Sequence, residues 1–153
     1  MAQTSLQDGR IVYDLTPAFL STLRDTNAVL LGEAFSRIEL TQGPILLFGG
    51  EDDQMWPSGL FAKTAMDRLT EKRHPFNNVC LCYSNAGHST THIPGRPTTE
   101  AAIYHPLIKR WLNMGGTPEG IAAGQRDAWT KTIQFLHQSL LPSRNSPMDP
   151  SSR

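Results

Sequence analysis

Acidic residues and a histidine follow two consecutive apolar runs, and they are the clearest candidates for chemistry in this sequence. The acids at 51–53 come just after the run at 44–49. His88 follows the run at 79–83. Continuous apolar runs of this length are typical of parallel strands covered on both faces, and the carboxyl ends of such strands meet at one edge of a sheet. We therefore expect the acids and His88 to lie close together, with a carboxylate orienting the imidazole as a general base.

An acid followed by a histidine is the order of the last two members of a Ser, Asp, His triad, which also needs a nucleophile upstream on a Gly-x-Ser-x-Gly turn. The sequence contains no such motif. Cys80 and Cys82 lie within a predicted strand, and we interpret them as small buried hydrophobic residues. The upstream serines lack flanking glycines: Ser5, Ser21 and Ser36. The sequence therefore predicts an acid and a base but no nucleophile in this chain.

No metal or cofactor site is predicted. His88 and His92 have a spacing that aligns two imidazoles only on a helix, and the intervening Ser-Thr-Thr does not favour one. We interpret the other histidines as loop or surface residues and the tryptophans as packing residues: His74, His105, His137, Trp56, Trp111 and Trp129.

Hydrophobic periodicity predicts the elements that position the candidate residues. Ile45 to Phe48 predicts a strand, the helical spacing from Pro57 to about residue 72 predicts a helix, and 78–83 predicts a second strand. A strand, a helix and a strand in this order form a βαβ unit of a parallel sheet. The stretch 100–114 fits either a short helix or a lid segment.

A long final helix is predicted to begin after Thr117, which suits the N-cap, with Pro118 at the first helical position. Pro142 ends it. One stripe along this helix is mostly apolar: Ile121, Gln125, Ala128, Trp129, Thr132, Ile133, Leu136 and Leu140.

These predictions divide the chain into three parts. Residues 1–42 are poorly defined, apart from a short helix start at Thr16-Pro17. Residues 43–141 form an α/β domain, and the Pro- and Ser-rich tail 142–153 is predicted to be disordered.

Composition narrows the functional classes. The 153 residues suit one domain, and 14 basic residues balance 14 acidic ones, so nucleic acid and anionic membranes are not expected partners. No apolar run has the roughly 20 residues of a membrane helix. The N-terminus has no signal-peptide pattern, and the final Ser-Ser-Arg is not a peroxisomal address. We expect a cytoplasmic protein.

Three blocks of the sequence carry a family resemblance. The segment 43–58, the Ala-Gly-His at 86–88 and the segment 115–129 resemble the acid segment, the histidine loop and the last-helix start of the acyl-CoA thioesterases related to bile acid-CoA:amino acid N-acyltransferase. The blocks occur in the family's order within about residues 43–140. After the histidine the family continues with Pro-Pro-aromatic, whereas this chain reads Ser-Thr-Thr-His-Ile-Pro.

The resemblance implies the C-terminal part of an α/β-hydrolase fold: βαβ units of a mostly parallel sheet and a long C-terminal helix. It implies Asp53 as the triad acid, with Asp52 as second choice, and His88 as the base. The implied reaction converts acyl-CoA and water to a fatty acid and CoA through an acyl-enzyme. The family's nucleophile elbow and N-terminal β-domain have no counterpart in this sequence.

Three functional hypotheses follow. In the first, the chain is the Asp–His part of an acyl-CoA thioesterase, inactive alone and active with a chain that carries the nucleophile. In the second, it is a non-catalytic remnant that serves as a binding or interaction module, and Asp53 is then simply an acid at a helix N-terminus. In the third, least supported, it is a complete small esterase that uses Ser5, Ser21 or Ser36.

Overall fold

In the computed structural model, the described residues are 3–25, 37–91 and 97–141. Ser36, His92 and the predicted disordered tail 142–153 lie outside these ranges. The described ranges contain the strands β1 (Gln3–Gln7), β2 (Arg10–Asp14), β3 (Leu46–Gly50), β4 (Val79–Tyr83), β5 (Ala102–His105) and β6 (Arg110–Asn113), and the helices α1 (Thr16–Asp25), α2 (Ser58–Glu71) and α3 (Pro118–Leu140). Short 3-10 turns span Ile38–Leu40 and His88–Thr91.

The predicted βαβ unit is present. β3 and β4 pair in parallel, in register from Leu46 opposite Val79 to Gly50 opposite Tyr83. Helix α2 connects them and packs on both strands. Helix α2 begins at Ser58, with Pro57 at its N-cap position, close to the predicted start. The arrangement places the loops after β3 and β4 at the same edge of the sheet.

The remaining strands form a second, mixed sheet in the order β1-β2-β6-β5. The β1–β2 and β5–β6 pairs are antiparallel, and β2–β6 is parallel. The strands thus divide between two sheets, which differs from the expectation of one mostly parallel sheet. The described chain is an α/β structure.

The prediction of a short helix, one of two possibilities for 100–114, is wrong, because this stretch contains the β5–β6 hairpin. Ile103 lies opposite Leu112, and Tyr104 lies opposite Trp111, so successive side chains point to alternate faces. A turn with Lys109 at a φ of 51° joins the strands. The apolar residues of this stretch recur at a spacing close to that of a helix, so the sequence pattern fits a helix as well as a strand. Pairing between β5 and β6 selects the strand.

The poorly defined N-terminal segment contains an ordered hairpin and a helix. Asp8 and Gly9 join β1 to β2 with φ values of 49° and 73°. A two-residue turn with both φ values positive strongly favours Asp-Gly, so Asp8-Gly9 is a local hairpin signal in a segment for which no hairpin was predicted. Helix α1 begins at Thr16, which confirms the predicted helix start.

Helix α3 confirms the final-helix prediction. The Thr117 side chain accepts a hydrogen bond from the Gly120 amide at 3.0 Å, and Pro118 is the first helical residue. Only the first three members of the predicted stripe are buried: Ile121, Gln125 and Ala128. Four of the later members are 42% to 74% exposed: Trp129, Ile133, Leu136 and Leu140. Of the helices that the structure describes, none is long and apolar enough to cross a membrane.

A small core joins the mixed sheet to the loop after β3. Met55, Leu112 and Met114 are buried together, and half-buried side chains from β2, β5 and the β2–α1 junction pack around them: Tyr13, Leu15 and Ile103. The Leu15 amide and the Thr16 side chain donate to the carbonyls of Gln54 and Asp53, at 2.8 and 2.7 Å. The residues that connect β2 to α1 therefore hold the backbone on which Asp53 lies.

Candidate active site

Asp53 and His88 are in direct contact. His88 Nδ1 lies 3.1 Å from Asp53 Oδ2. The Asp53 side chain is 1% exposed, and the His88 side chain is 21% exposed. Because a carboxylate only accepts, Nδ1 carries the proton of this bond, and a neutral ring then has its lone pair on Nε2. The two loops that the sequence singled out thus meet as a carboxylate–imidazole pair.

The second oxygen of Asp53 orders the start of α2. Oδ1 accepts from the Met55 amide at 2.9 Å and from the Trp56 amide at 3.3 Å, just before the helix begins at Ser58. Asp53 therefore satisfies backbone donors near a helix N-terminus and also contacts His88. The sequence allowed Asp53 to be either an acid at a helix N-terminus or the partner of His88, and in this structure it makes both sets of contacts.

His88 is held by the loop between β6 and α3. Its amide donates to the Met114 carbonyl at 2.7 Å. The neighbouring Gly87 is so close to this loop that a Cβ there would lie 2.1 Å from the Gly115 carbonyl oxygen. Glycine is therefore required before His88 for the loop to approach. The glycine of the Ala-Gly-His motif has this packing role.

Trp56 contacts the imidazole directly. Its ring centroid lies 4.3 Å from that of His88, and the rings are nearly perpendicular at 88°. Trp56 is 41% exposed, so it also contacts solvent. The predicted packing role of Trp56 is incomplete, because Trp56 also contacts His88. Its position in the same loop as Asp53 is the sequence signal for a place in the site.

A cavity of about 120 Å³ opens beside the pair, lined by Phe48, Gly49, Gly50, Asp53, Trp56, Ser58, Gly87, His88 and Thr90. Both hydroxyl groups in its lining are already bonded to backbone. Ser58 Oγ bonds to the amide and the carbonyl of Gly50, at 3.0 and 3.3 Å. Thr90 Oγ1 donates to the Gly87 carbonyl at 2.6 Å. Across the described ranges, no hydroxyl or thiol bonds to His88 Nε2.

The other acids of the motif have different partners. Asp52, the second choice for the triad acid, is exposed and accepts from the Gly116 amide at 3.0 Å and from the Gln54 side chain at 3.1 Å. Glu51 pairs with Lys63 at 2.8 Å and accepts from Ser84 at 2.7 Å. The hydrogen bond from Lys63, followed by that from Ser84, lowers the pKa of Glu51. Of the three acids, Asp53 is the one bonded to His88.

The two cysteines are half-buried on β4. Burial raises the pKa of Cys80 to about 11, with a smaller contribution from Cys82. The Cys82 thiol donates to the Gly59 carbonyl at 3.7 Å, on the α2 side of the sheet. A thiolate is the reactive form, so a raised pKa opposes nucleophilic attack by Cys80. In the part of the chain that the structure describes, no group of three or more metal-ligating side chains occurs.

Gln125 is a site-supporting residue that sequence reasoning placed only in the α3 stripe. It is 3% exposed, and its side-chain amide donates to the Ser89 carbonyl at 3.1 Å. This bond ties the residue after His88 to the first half of α3. A polar residue among apolar stripe members was the signal for such a bond, because buried amides are normally hydrogen-bonded.

Comparison with known proteins identifies the family. Residues 13–142 match the family described as BAAT / Acyl-CoA thioester hydrolase C terminal. The chain belongs to this family. Human acyl-coenzyme A thioesterase 6 is 32% identical over 105 residues, which are 67% of this chain and 24% of that protein. Mouse acyl-coenzyme A amino acid N-acyltransferase 1 is 34% identical over 121 residues, 78% of this chain and 28% of that protein. The chain thus spans about a quarter of the length of these relatives.

Proposed function

We propose that this chain supplies the acid–base half of an acyl-CoA thioester site, on the C-terminal part of an α/β-hydrolase-like fold. The observation that carries the proposal is the 3.1 Å contact between His88 Nδ1 and the buried Asp53 carboxylate. This contact leaves His88 Nε2 free to accept the proton of a nucleophile. Relatives named as acyl-CoA thioesterases and as amino acid N-acyltransferases share this family.

In the proposed reaction, His88 Nε2 takes the proton of a serine or cysteine as that residue attacks the thioester carbonyl carbon. The tetrahedral intermediate collapses, the carbon–sulfur bond breaks, and the proton on Nε2 goes to the departing CoA sulfur. His88 then deprotonates a water molecule that attacks the acyl-enzyme, which releases the fatty acid and returns the proton to the nucleophile. Asp53 keeps Nδ1 protonated throughout and stabilises the imidazolium.

The nucleophile is proposed to come from polypeptide other than these 153 residues, which contain no Gly-x-Ser-x-Gly motif. The Ser58 and Thr90 hydroxyls beside His88 are bonded to backbone, and Ser21 is bonded to Asp25 on α1. We therefore expect the purified chain to hydrolyse acyl-CoA no faster than a His88→Ala variant does.

A segment exchange tests the proposal in an intact protein. The 105 matched residues of human acyl-coenzyme A thioesterase 6 are replaced by the matching residues of this chain, and acyl-CoA hydrolysis is measured. We expect a folded, active hybrid that loses about 10³-fold or more of its rate with His88→Ala, because the general base is gone. Asp52→Asn is the matched control, since Asp52 does not contact His88.

Two results would contradict the proposal. One is a folded hybrid whose rate is the same with His88 and with alanine, which favours the interaction-module hypothesis. The other is robust, His88-dependent turnover by the isolated chain, which would mean that a nucleophile is present within it.

A further inference from the structure

Trp56 contacts both members of the carboxylate–imidazole pair, and it does so through different groups. Its backbone amide donates to Asp53 Oδ1 at 3.3 Å. Its indole ring lies 4.3 Å from the His88 imidazole, centroid to centroid, at an angle of 88°. Paired aromatic rings normally have centroids about 4.5–7 Å apart, so these two rings are in close contact. One residue thus connects the acid and the base in addition to the hydrogen bond that joins them.

The backbone around Trp56 fixes where its indole lies. The amide of Trp56 is bonded to Asp53, and its carbonyl accepts from the Ser58 amide at 2.7 Å. This second bond closes an inverse γ-turn at Pro57, whose φ of −73° and ψ of 65° are typical of that turn. The proline ring also restricts the residue before it to extended conformations. The indole is therefore attached to a backbone that has little conformational freedom.

The indole also separates the pair from solvent. Trp56 has the largest side chain in the lining of the cavity beside His88. Asp53 is buried, His88 is half-buried and Trp56 is 41% exposed, so burial decreases from the acid to the base to the indole. Loss of the indole would widen the cavity and admit water to His88. Water would weaken the bond to Asp53, because hydrogen bonds are stronger where the local dielectric constant is low.

We propose that Trp56 is a positioning residue, whose indole holds the imidazole of His88 against Asp53 and shields the bond between Nδ1 and Oδ2 from water. Trp56 acts through His88 and takes no part in the proton transfers. Its effect on the reaction rate rests on the proposed function, whereas its effect on the bond does not. Position matters for a general base, since a displacement of about 1 Å can cost about 10²-fold in rate.

Exchange of the His88 Nδ1 proton with water tests the inference in the isolated chain, by proton NMR. Trp56→Ala removes the indole and keeps the amide that bonds to Asp53. We expect this variant to exchange the Nδ1 proton at least about tenfold faster than wild type, because the bond opens more often to water. Trp129→Ala is the matched control and should leave exchange unchanged, because Trp129 is 42% exposed on α3 and is not part of the cavity lining.

Two conservative variants extend this test if Trp56→Ala folds poorly. Trp56→Phe keeps an aromatic ring beside the imidazole, and its exchange rate should stay within about threefold of wild type. Trp56→Leu keeps apolar bulk but no ring, and its exchange rate should lie between those of Trp56→Phe and Trp56→Ala. A side chain that only packs at the start of α2 would change the urea midpoint and leave the exchange rate as it is.

The segment-exchange hybrid measures the effect on acyl-CoA hydrolysis. We expect Trp56→Ala to lower kcat by about 10–100-fold and to change KM by less than about threefold, because the base is displaced while the substrate still binds. Trp56→Phe should recover most of kcat. A raised KM with an unchanged kcat would overturn the inference and assign Trp56 to substrate binding.

The exchange measurement can also overturn the inference. It does so if wild type and Trp56→Ala exchange the Nδ1 proton equally fast, or if Trp129→Ala accelerates exchange as much as Trp56→Ala. If exchange depends on Trp56 but the hybrid is indifferent to His88, Trp56 positions His88 and the proposed function fails. If the hybrid depends on His88 but neither exchange nor kcat responds to Trp56→Ala, the proposed function stands and this inference fails.

Discussion

Asparagine and alanine at position 53 should have very different effects on stability, because the two oxygens of Asp53 do different things. Oδ1 accepts from the amides of Met55 and Trp56, and Oδ2 accepts from His88. Asp53→Ala removes all three bonds from a side chain that is 1% exposed. Asp53→Asn keeps a carbonyl oxygen for the two amides and loses only the carboxylate at His88.

The magnitude follows from the hydrogen-bond count. Bonds to a charged group contribute about 1.5–3 kcal/mol each, and neutral ones about 1 kcal/mol. Three bonds at the lower end of the range for a charged group give a loss of about 4–5 kcal/mol in the free energy of unfolding for Asp53→Ala, and one such bond gives a loss of about 1–2 kcal/mol for Asp53→Asn. With a urea slope of about 1–3 kcal/mol per molar, the two midpoints should differ by roughly 1 M or more.

Urea denaturation of the isolated chain measures this difference, with Asp52→Asn as the control at the neighbouring exposed acid. In the segment-exchange hybrid, Asp53→Asn should still lower the rate by about 10⁴-fold, because an asparagine amide donates to Nδ1 and favours the tautomer whose Nε2 is protonated. Equal urea midpoints for Asp53→Ala and Asp53→Asn would refute the assignment of different roles to the two Asp53 oxygens.

Three further predictions concern the scaffold. Gly49→Ala should lower the free energy of unfolding in urea by about 1–3 kcal/mol, because the added Cβ would lie 2.6 Å from the Gly59 Cα. Gly43→Ala is the control and should change it by less than about 0.5 kcal/mol, because no atom lies within 4 Å of that Cβ. Equal effects of the two variants would contradict this packing. Thr117→Ala should cost about 1 kcal/mol through loss of the α3 cap, and an unchanged midpoint would show that the bond to Gly120 contributes nothing. The hydrogen bond from Arg68 lowers the pKa of Glu39 from 4.5 to about 2. In thermal melts, the stability advantage of wild type over Glu39→Gln should therefore be full above about pH 4.5 and disappear as the pH falls towards 2. An advantage that does not change with pH would contradict this.

The sequence predicts those parts of the fold in which local pattern and tertiary contact agree. The β3–α2–β4 unit and α3 follow from apolar runs, Pro57 and the Thr117-Pro118 start, and all are present. The β5–β6 hairpin is not predicted, because Ile103, Leu107, Ile108 and Trp111 fit a helical period as well as a strand, and pairing across the turn decides. The half-exposed stripe of α3 shows the same limit, since periodicity identifies an apolar face but not what covers it.

The site is predictable to a similar extent. Asp53 and His88 follow from their positions after parallel strands, and their contact is present, while their catalytic roles stay predictions. The contacts that hold them come from distant segments. Met114 fixes the His88 amide, and Thr16 holds the Asp53 carbonyl. Such long-range support has no local sequence signal, so it emerges only from the folded chain.

The most direct test of the account is the tautomer of His88, measured by nitrogen-15 NMR of the imidazole in the isolated chain at a pH where the ring is neutral. The account predicts a protonated Nδ1, with the chemical shift of a nitrogen bonded to the Asp53 carboxylate, and an unprotonated Nε2 free to accept a proton. Asp53→Asn should reverse this pattern, and Asp52→Asn should leave it unchanged. A protonated Nε2 in the wild-type chain would contradict the claim that Asp53 prepares His88 as a general base.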